Sequence, residues 1–235
     1  GLFASGALTL ADLLERVPGM TTLRSGWING PMQAAYLGDV GKIRVFYDGV
    51  ELDPLDPRNG GTLDLTTIEL WTLEEVALER GADEVRVYLR SWRAQRTTPS
   101  TRTDITTGDE DTNLYRGFFG KRFGHGEALQ LGFQQYSTTN ARFGGGGDQL
   151  AILGRVGTAR GKWSFDAFAL RANRTRSDRF SSAGSWIAAE QARHTDAYVR
   201  AGYGDPDAGP WLQLTAASLG FRETSPFRAA GGTGN

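Results

Sequence analysis

The sequence predicts a mixed α+β N-terminal part followed by antiparallel transmembrane β-barrel strands, an incomplete barrel. Three observations predict it. Residues 1–93 mix one amphipathic helix pattern with short strands. From residue 101 onward, segments alternate apolar and polar residues, several of them near the about 9–11 residues that a tilted strand needs to cross a bilayer. Aromatic side chains gather at the ends of those segments, beside short turns. The chain therefore divides into residues 1–93 and residues 94–235.

Composition narrows the class. The 32 glycines in 235 residues are about double average usage. They have no three-residue period and are separated by strand-like runs, so the chain is neither collagen nor a flexible linker. Aromatic residues at 11% and a net charge of −1 argue against disorder. The balance of 26 basic and 27 acidic residues gives no basic field, and no nucleic-acid partner is expected. The absence of cysteine excludes a disulfide framework, a thiolate zinc site and a cysteine nucleophile. No apolar run approaches the length of a transmembrane helix, and no secretory signal pattern follows Gly1.

The elements follow in order. Leu10, Leu13, Leu14 and Val17 line one helical face after an N-cap at Thr9, with Asp12 as the capping-box partner; Pro18-Gly19 ends the helix. The stretch to Gly41 reads as loop. Lys42–Tyr47 reads as a strand, Asp48-Gly49 as a turn, and Val50 to Leu52 as a return strand. Leu52–Asp64 is a loop, and Ile68–Leu73 is either a short helix or a turn into a strand. Val76–Glu79 and Val85–Leu89 are strands joined at Arg80-Gly81.

Seven strands are then expected, at Arg102–Thr107, Asn113–Phe123, Ala128–Ser137, Gln149–Thr158, Lys162–Asn173, Thr195–Tyr203 and Trp211–Arg222. In the third, Leu129, Leu131 and Phe133 oppose Gln130, Gly132, Gln134 and Tyr136. In the sixth, Ala197, Val199, Ala201 and Tyr203 oppose Asp196, Tyr198, Arg200 and Gly202. Glycines at inward positions fit a strand that bends or lies beside another segment. Long connections at Thr138–Asp148 and Arg174–His194 alternate with short ones, the Gly108–Thr112 hairpin excepted, as in outer-membrane barrels. Phe123, Trp163, Tyr203 and Trp211 fall where an interfacial aromatic girdle would lie. Seven strands leave an open edge, which lipid does not tolerate, so the chain is expected to be a piece of a longer protein.

Three motifs in residues 8–92 bring a resemblance. Leu10-Ala11-Asp12-Leu13-Leu14-Glu15-Arg16-Val17-Pro18-Gly19-Met20 resembles the D-x-L-x-x-x-P-G-V segment of the plug domain of TonB-dependent outer-membrane receptors. Ile43–Val50 is similar to that family's V-x-x-D-G-V strand and turn, and Leu73–Gly81 to its I-E-x-I-E-V-x-R-G strand. The marker residues are Asp12, Pro18, Gly19, Asp48, Gly49, Glu79, Arg80 and Gly81. There are departures: Ala77 replaces an acidic residue, and Ala82-Asp83-Glu84 leads straight into Val85, where the family has a longer Gly-rich stretch. No TonB box is identifiable before Leu8.

The resemblance implies a plug domain at residues 1–93 and the first strands of a barrel at 94–235, in the bacterial outer membrane. It implies plug-gated uptake of a scarce nutrient such as a siderophore, cobalamin, glycan or peptide, and no enzyme activity or cofactor. The implied partners are outer-membrane lipids, a TonB-type energy-coupling protein and a small-molecule or oligomeric ligand. Two alternatives stand beside it: a non-transporting structural or adhesion barrel with a degenerate plug, and a soluble β-sandwich that binds carbohydrate.

Candidate ligand contacts are Arg24, Trp27, Asn29 and Tyr36, a mix able to stack on and hydrogen-bond a polar ligand. A plug loop packed on the barrel wall is the plainer reading. Arg174 and Arg176, with Arg179, Phe180 and Trp186, are placed in the long loop, where they suit an anionic ligand; a solvated loop or a lipopolysaccharide contact is again plainer. Inward Asp166 and Arg200 are expected to pair with plug residues. Asp53, Asp56 and Asp64 are expected to be structural rather than to bind calcium, since their spacing fits no EF-hand loop. No metal site is expected. Asp109, Glu110 and Asp111 read as a solvated hairpin tip. Gly144–Gly147 opens no helix and is no phosphate loop. His125 and His194 are placed at strand or loop ends, without partners for hydrolysis.

Overall fold

The computed structural model describes residues 7, 9–24, 32–55, 61–109, 111–139, 145–177, 179–180, 186–187, 189–205 and 209–223. Helix α1 (Leu10–Leu14) starts at the capping box: the Asp12 amide donates to Thr9 Oγ1 at 3.4 Å, and the Thr9 amide donates to Asp12 Oδ2 at 2.8 Å. It is shorter than its apolar spacing suggests. Pro18 disfavours helical backbone at Val17, and Gly19 turns the chain with a φ of 85°.

The stretch expected as loop holds a hairpin, β1 (Met20–Arg24) and β2 (Met32–Tyr36), paired antiparallel. The five residues of each are too few, and too rich in Thr and Gln, to show sustained alternation. A second sheet has the order β4-β3-β6-β5, built from β3 (Ile43–Tyr47), β4 (Val50–Glu51), β5 (Leu73–Arg80) and β6 (Val85–Ser91), with β3 parallel to β6. Asp48 and Gly49, at φ 47° and 84°, make the two-residue turn with both positions left-handed that Asp-Gly favours. The ambiguous segment before β5 is a pair of 3-10 turns, Leu65–Thr67 and Leu70–Thr72. Leu10, Leu14, Val45, Leu65, Leu73, Val85, Val87 and Leu89 close one core between helix, turns and sheet. Arg80 donates to the Pro18 carbonyl at 3.3 Å, tying the third motif to the first.

All seven expected strands are present in one antiparallel sheet, in the order β15-β14-β11-β10-β9-β8-β7. They are β7 (Ser100–Gly108), β8 (Thr112–Arg122), β9 (Glu127–Thr139), β10 (Gly146–Arg160), β11 (Trp163–Arg176), β14 (Glu190–Tyr203) and β15 (Leu212–Glu223). The connections differ from expectation. The strands run on into both supposed long loops, so that only residues 140–145 and 177–189 connect them, the latter holding the small hairpin β12 (Arg179–Phe180) and β13 (Trp186–Ile187). The asymmetry between the two ends is carried largely by strand length. Alternating polar residues continue the period-2 pattern past the apolar stretch, which the eye reads as loop.

The two faces separate cleanly. Leu131, Phe133, Ile152, Val156, Phe165, Val199, Leu212 and Leu214 are exposed on the outer face. Gln130, Gln134, Gln149, Leu153, Arg155, Phe168, Arg174 and Tyr198 are buried on the inner face, against the N-terminal unit. Phe123, Trp163, Tyr203 and Trp211 are exposed at the short-turn end, and Trp163 meets Tyr203 edge-on at 4.8 Å.

Two inner-face glycines admit tryptophans of the N-terminal unit. A Cβ on Gly132 would lie 2.6 Å from the Trp71 ring and 3.0 Å from Phe118; one on Gly120 would lie 2.3 Å from the Trp92 ring. Gly154 has nothing within 4 Å. Gly132→Val should therefore cost about 1–3 kcal/mol through overpacking, whereas Gly154→Ala should be near neutral. Thermal unfolding of both variants in detergent, followed by circular dichroism, checks the contrast.

Candidate functional site

The N-terminal unit meets the inner face of the sheet along a seam held by three carboxylates. Each stands on a turn or a 3-10 start; Asp64 and Asp48 accept from backbone amides as well as side chains, and Glu69 accepts from side chains.

Asp64 caps the Leu65–Thr67 turn. Its Oδ1 accepts from the amides of Thr66 (3.0 Å) and Met32 (3.1 Å), and its Oδ2 accepts from Arg174 on β11 at 3.1 Å. Arg174 also donates to Glu190 on β14 at 2.8 Å and to Thr66 Oγ1 at 2.7 Å. Arg176 donates to the other oxygen of Glu190 at 2.7 Å and lies 3.8 Å from Asp64. Two guanidiniums thus face two carboxylates, all buried, with Arg176 only 2% exposed.

Glu69 precedes the second 3-10 turn and is 3% exposed. Its Oε2 accepts from Trp71 Nε1 and Gln134 Nε2, each at 2.8 Å, and Oε1 accepts from Gln149 Nε2. Burial drives this carboxyl up to about 7, against the pull of the Trp71 and Gln149 hydrogen bonds and of the Arg116 and Arg174 charges.

Asp48 stands on the Asp-Gly turn. Oδ1 accepts from the Ser91 amide at 2.9 Å, and Oδ2 accepts from Tyr198 Oη at 2.7 Å and from Ser91 Oγ. Burial pushes Asp48 up, but the donors Ser91 and Tyr198 and the Arg155 charge hold it below the ordinary carboxylate range. Arg155 on β10 forks onto Asp166 and donates to Ser91 Oγ at 2.6 Å; Arg200 donates to the Asp48 carbonyl. Tyr198 stacks on Phe168 at 5.1 Å, and Phe168 meets Tyr47 at 5.4 Å.

The expected site residues fall out unevenly. Arg174 and Arg176 are in β11, not in a loop, and their charges are matched within the seam. Arg24 ends β1 and pairs with Asp12 (2.7 Å) and Glu15 (2.6 Å) of the helix segment. Tyr36 is buried in β2 beneath Gly19, where a Cβ would lie 3.2 Å from its ring. Trp27, Asn29, Asp56, Glu110 and Gly144 lie outside the described residues, and of Arg179, Phe180 and Trp186 only the backbone is described. Asp166 forks with Arg155 of the wall and lies 3.9 Å from Arg93 of the N-terminal unit, and Arg200 reaches that unit at the Asp48 carbonyl. His194 is not at a strand end: it sits within β14, 3.2 Å from Asp196. Of the marker residues, Glu79 accepts from Tyr88 Oη at 2.8 Å, and Gly81 tightens the β5–β6 turn through its amide to the Glu84 carbonyl at 2.8 Å.

Sequence reasoning missed Thr66, Glu69, Ser91, Gln149, Arg155 and Glu190 as seam residues. The wall members among them sit at alternate positions on adjacent strands, opposite a membrane-type apolar face. That is the signal that could have found them. Thr66, Glu69 and Ser91 have no such signal, because their placement depends on two 3-10 turns and a strand end.

No protein-family model matches the chain, and no curated protein matches it by sequence. Its fold is similar to that of the copper transporter OprC, at 12% identity and a TM-score of 0.62 over 93% of this chain and 41% of that one. It is also similar to the siderophore receptor PiuA from Acinetobacter baumannii (12% identity, TM-score 0.65, 92% of this chain and 35% of that one). A third is the ferric yersiniabactin uptake receptor FyuA from Yersinia pestis (13%, 0.51, 96% and 48%). The chain spans less than half the length of each. Its fold is that of the TonB-dependent receptors that the three motifs resemble.

Asp64→Asn leaves Arg174 and Arg176 facing one carboxylate in a buried site and should cost about 3–5 kcal/mol, read as a lowered midpoint in denaturant titration. Glu69 titrates near 7 when folded and 4.5 when unfolded. Its stabilising effect is complete below the lower value and is lost as pH rises through the upper one, by on the order of 3 kcal/mol. Glu69→Gln should flatten the stability slope across that window; an unchanged slope would place the titration elsewhere.

Proposed function

We propose that residues 1–93 are the plug domain and residues 94–235 the first strands of the barrel of a TonB-dependent receptor in the bacterial outer membrane. In this reading the receptor takes up a scarce nutrient and performs no covalent chemistry. One observation carries the reading: the N-terminal unit docks by three buried carboxylates on the polar inner face of a sheet whose outer face is apolar. A soluble sandwich would set a second sheet against that inner face, with the polar residues outward. Here the polarity is reversed, which disfavours the carbohydrate-binding sandwich. Both edges of the seven-stranded sheet, β7 and β15, need further strands in lipid, so the barrel continues through strands other than these seven.

The ligand class is a metal chelate or another scarce solute, siderophore, cobalamin, glycan and peptide among them. The neighbours' own cargo, copper in one and siderophores in others, supports the general kind and not one compound. Within the site, Trp27 and Asn29 in the β1–β2 connection are the contacts we propose for the ligand. Arg24, Tyr36, Arg174 and Arg176 support the docked plug instead. The energy-coupling partner is a TonB-type protein, and the plug's displacement is the conformational step.

Uptake by whole cells carrying the intact protein tests this. Accumulation of the nutrient should stop when the TonB-type coupler is deleted, while surface binding persists. Uptake that survives the deletion removes the receptor reading; binding without energised uptake in any strain favours the non-transporting barrel. Trp27→Ala should weaken ligand binding roughly tenfold, as loss of an aromatic contact does, without moving the unfolding midpoint.

A further inference from the structure

We propose that Arg171, Arg193 and Arg222 form a binding site on the outer face of the barrel for the phosphates of a glycolipid headgroup. The inference rests on the membrane-spanning reading above and goes beyond it.

The three arginines stand on adjacent strands β11, β14 and β15, and all are exposed. Register fixes their face. Arg171 is aligned with Ile152, which is 56% exposed on the apolar face; Arg193 is aligned with Asn173 on one side and Arg222 on the other. Antiparallel partners share a face, so all three arginines point where Val199, Leu212 and Leu214 point. They lie at the end of the apolar band away from Trp163, Tyr203 and Trp211. One rim of the band carries these aromatics with Lys121 and Arg160 among them; the other, among the described residues, carries the three arginines without an aromatic girdle.

Arg193 and Arg222 are directly opposed, with Cα atoms about 4.5–5.5 Å apart in such pairs. Like charges placed so are destabilising. Among the described residues none of the three makes an ion pair; Arg193 donates from Nε to Asn173 Oδ1 at 3.1 Å, which leaves its terminal nitrogens free to fork onto an anion. Two acids share the face among the described residues: Asp148 is aligned with Thr175, further along than Arg171, and Glu127 is aligned with Thr158 toward the opposite end. A like-charge pair at the edge of an apolar band is relieved by an anion that arrives with the lipid. Guanidinium forks fit phosphate oxygens, and three adjacent strands span about 10 Å. That width suits a headgroup carrying two phosphates better than a phospholipid carrying one.

The intact protein is to be inserted into phosphatidylcholine vesicles with and without diphosphoryl lipid A, and its unfolding temperature read from the gel mobility of the folded barrel. Lipid A should raise that temperature by several degrees in the wild type and leave R171Q/R193Q/R222Q unmoved, while R171K/R193K/R222K retains part of the shift. In phosphatidylcholine alone, R222Q should unfold no lower than the wild type, since the neutralised pair no longer repels. Equal protection of the triple Gln variant, equal protection by dephosphorylated lipid A, or equal protection by phosphatidylglycerol at matched charge would overturn the site. Failure of every form to insert into vesicles would overturn the membrane reading itself, and the site with it.

Discussion

Arg174 and Arg176 can be buried side by side on one strand only because Asp64 and Glu190 lie against them. Desolvating two guanidiniums costs several kcal/mol each unless carboxylates and hydrogen bonds replace the lost water. Glu190 comes from the neighbouring wall strand and satisfies half of that need. Asp64 comes from the N-terminal unit and satisfies the rest. The sheet's inner face is therefore incomplete without the unit that docks on it. The dependence runs both ways, because the other oxygen of the same carboxylate caps the Leu65–Thr67 turn and holds the Met32 amide of β2.

The origin of this constraint is the outer face. A strand alternates with period 2, so a sheet with one apolar face is left with its other face for everything polar. Gln130, Gln134, Gln149, Arg155 and Arg174 all fall there. The N-terminal unit answers with acceptors at Asp48, Asp64 and Glu69, and with the Trp92 carbonyl, which accepts from Gln130 at 2.9 Å. Shape is settled separately. Gly132 and Gly120 leave room for Trp71 and Trp92, and the stacked Tyr47, Phe168 and Tyr198 fill the space beside Asp48. Polar pairing sets the register of the docked unit, and the glycine recesses set how close it comes.

Much of the architecture was legible because it rests on local rules. The Thr9 capping box, the Asp48-Gly49 turn and all seven wall strands follow from spacing, from turn chemistry and from alternation. The β1–β2 hairpin was not legible, since MTTLR and MQAAY carry no periodic signal of their own and are held by pairing and by burial of Met20, Met32 and Tyr36. The site was less legible than the fold. Arg174 looked like a loop arginine because polar residues on alternate positions resemble a loop once the apolar stretch has ended. Its meaning depends on Asp64, which is 110 positions away in sequence. Asp64 itself read as part of a structural loop, which it is, but nothing local says that its second oxygen faces a wall arginine.

A polar seam has a property that an apolar core lacks. An apolar interface loses its whole burial energy when it opens, whereas carboxylates, guanidiniums and amides regain water as they part. Ion pairs whose burial is nearly balanced by desolvation hold geometry firmly while contributing little net free energy to separation. The seam has that character at Asp64 and Asp48, while Glu69 is held by neutral donors, and Leu153, Phe168 and Leu170 of the sheet share an apolar cluster with the N-terminal unit. A unit docked in this way keeps one register, and in the proposed receptor a pull that admits water along the sheet would meet successive polar exchanges beside that apolar contact. Glu69 adds a dependence on pH: burial raises its carboxyl to about 7, so ionisation as pH rises through neutrality weakens the middle anchor.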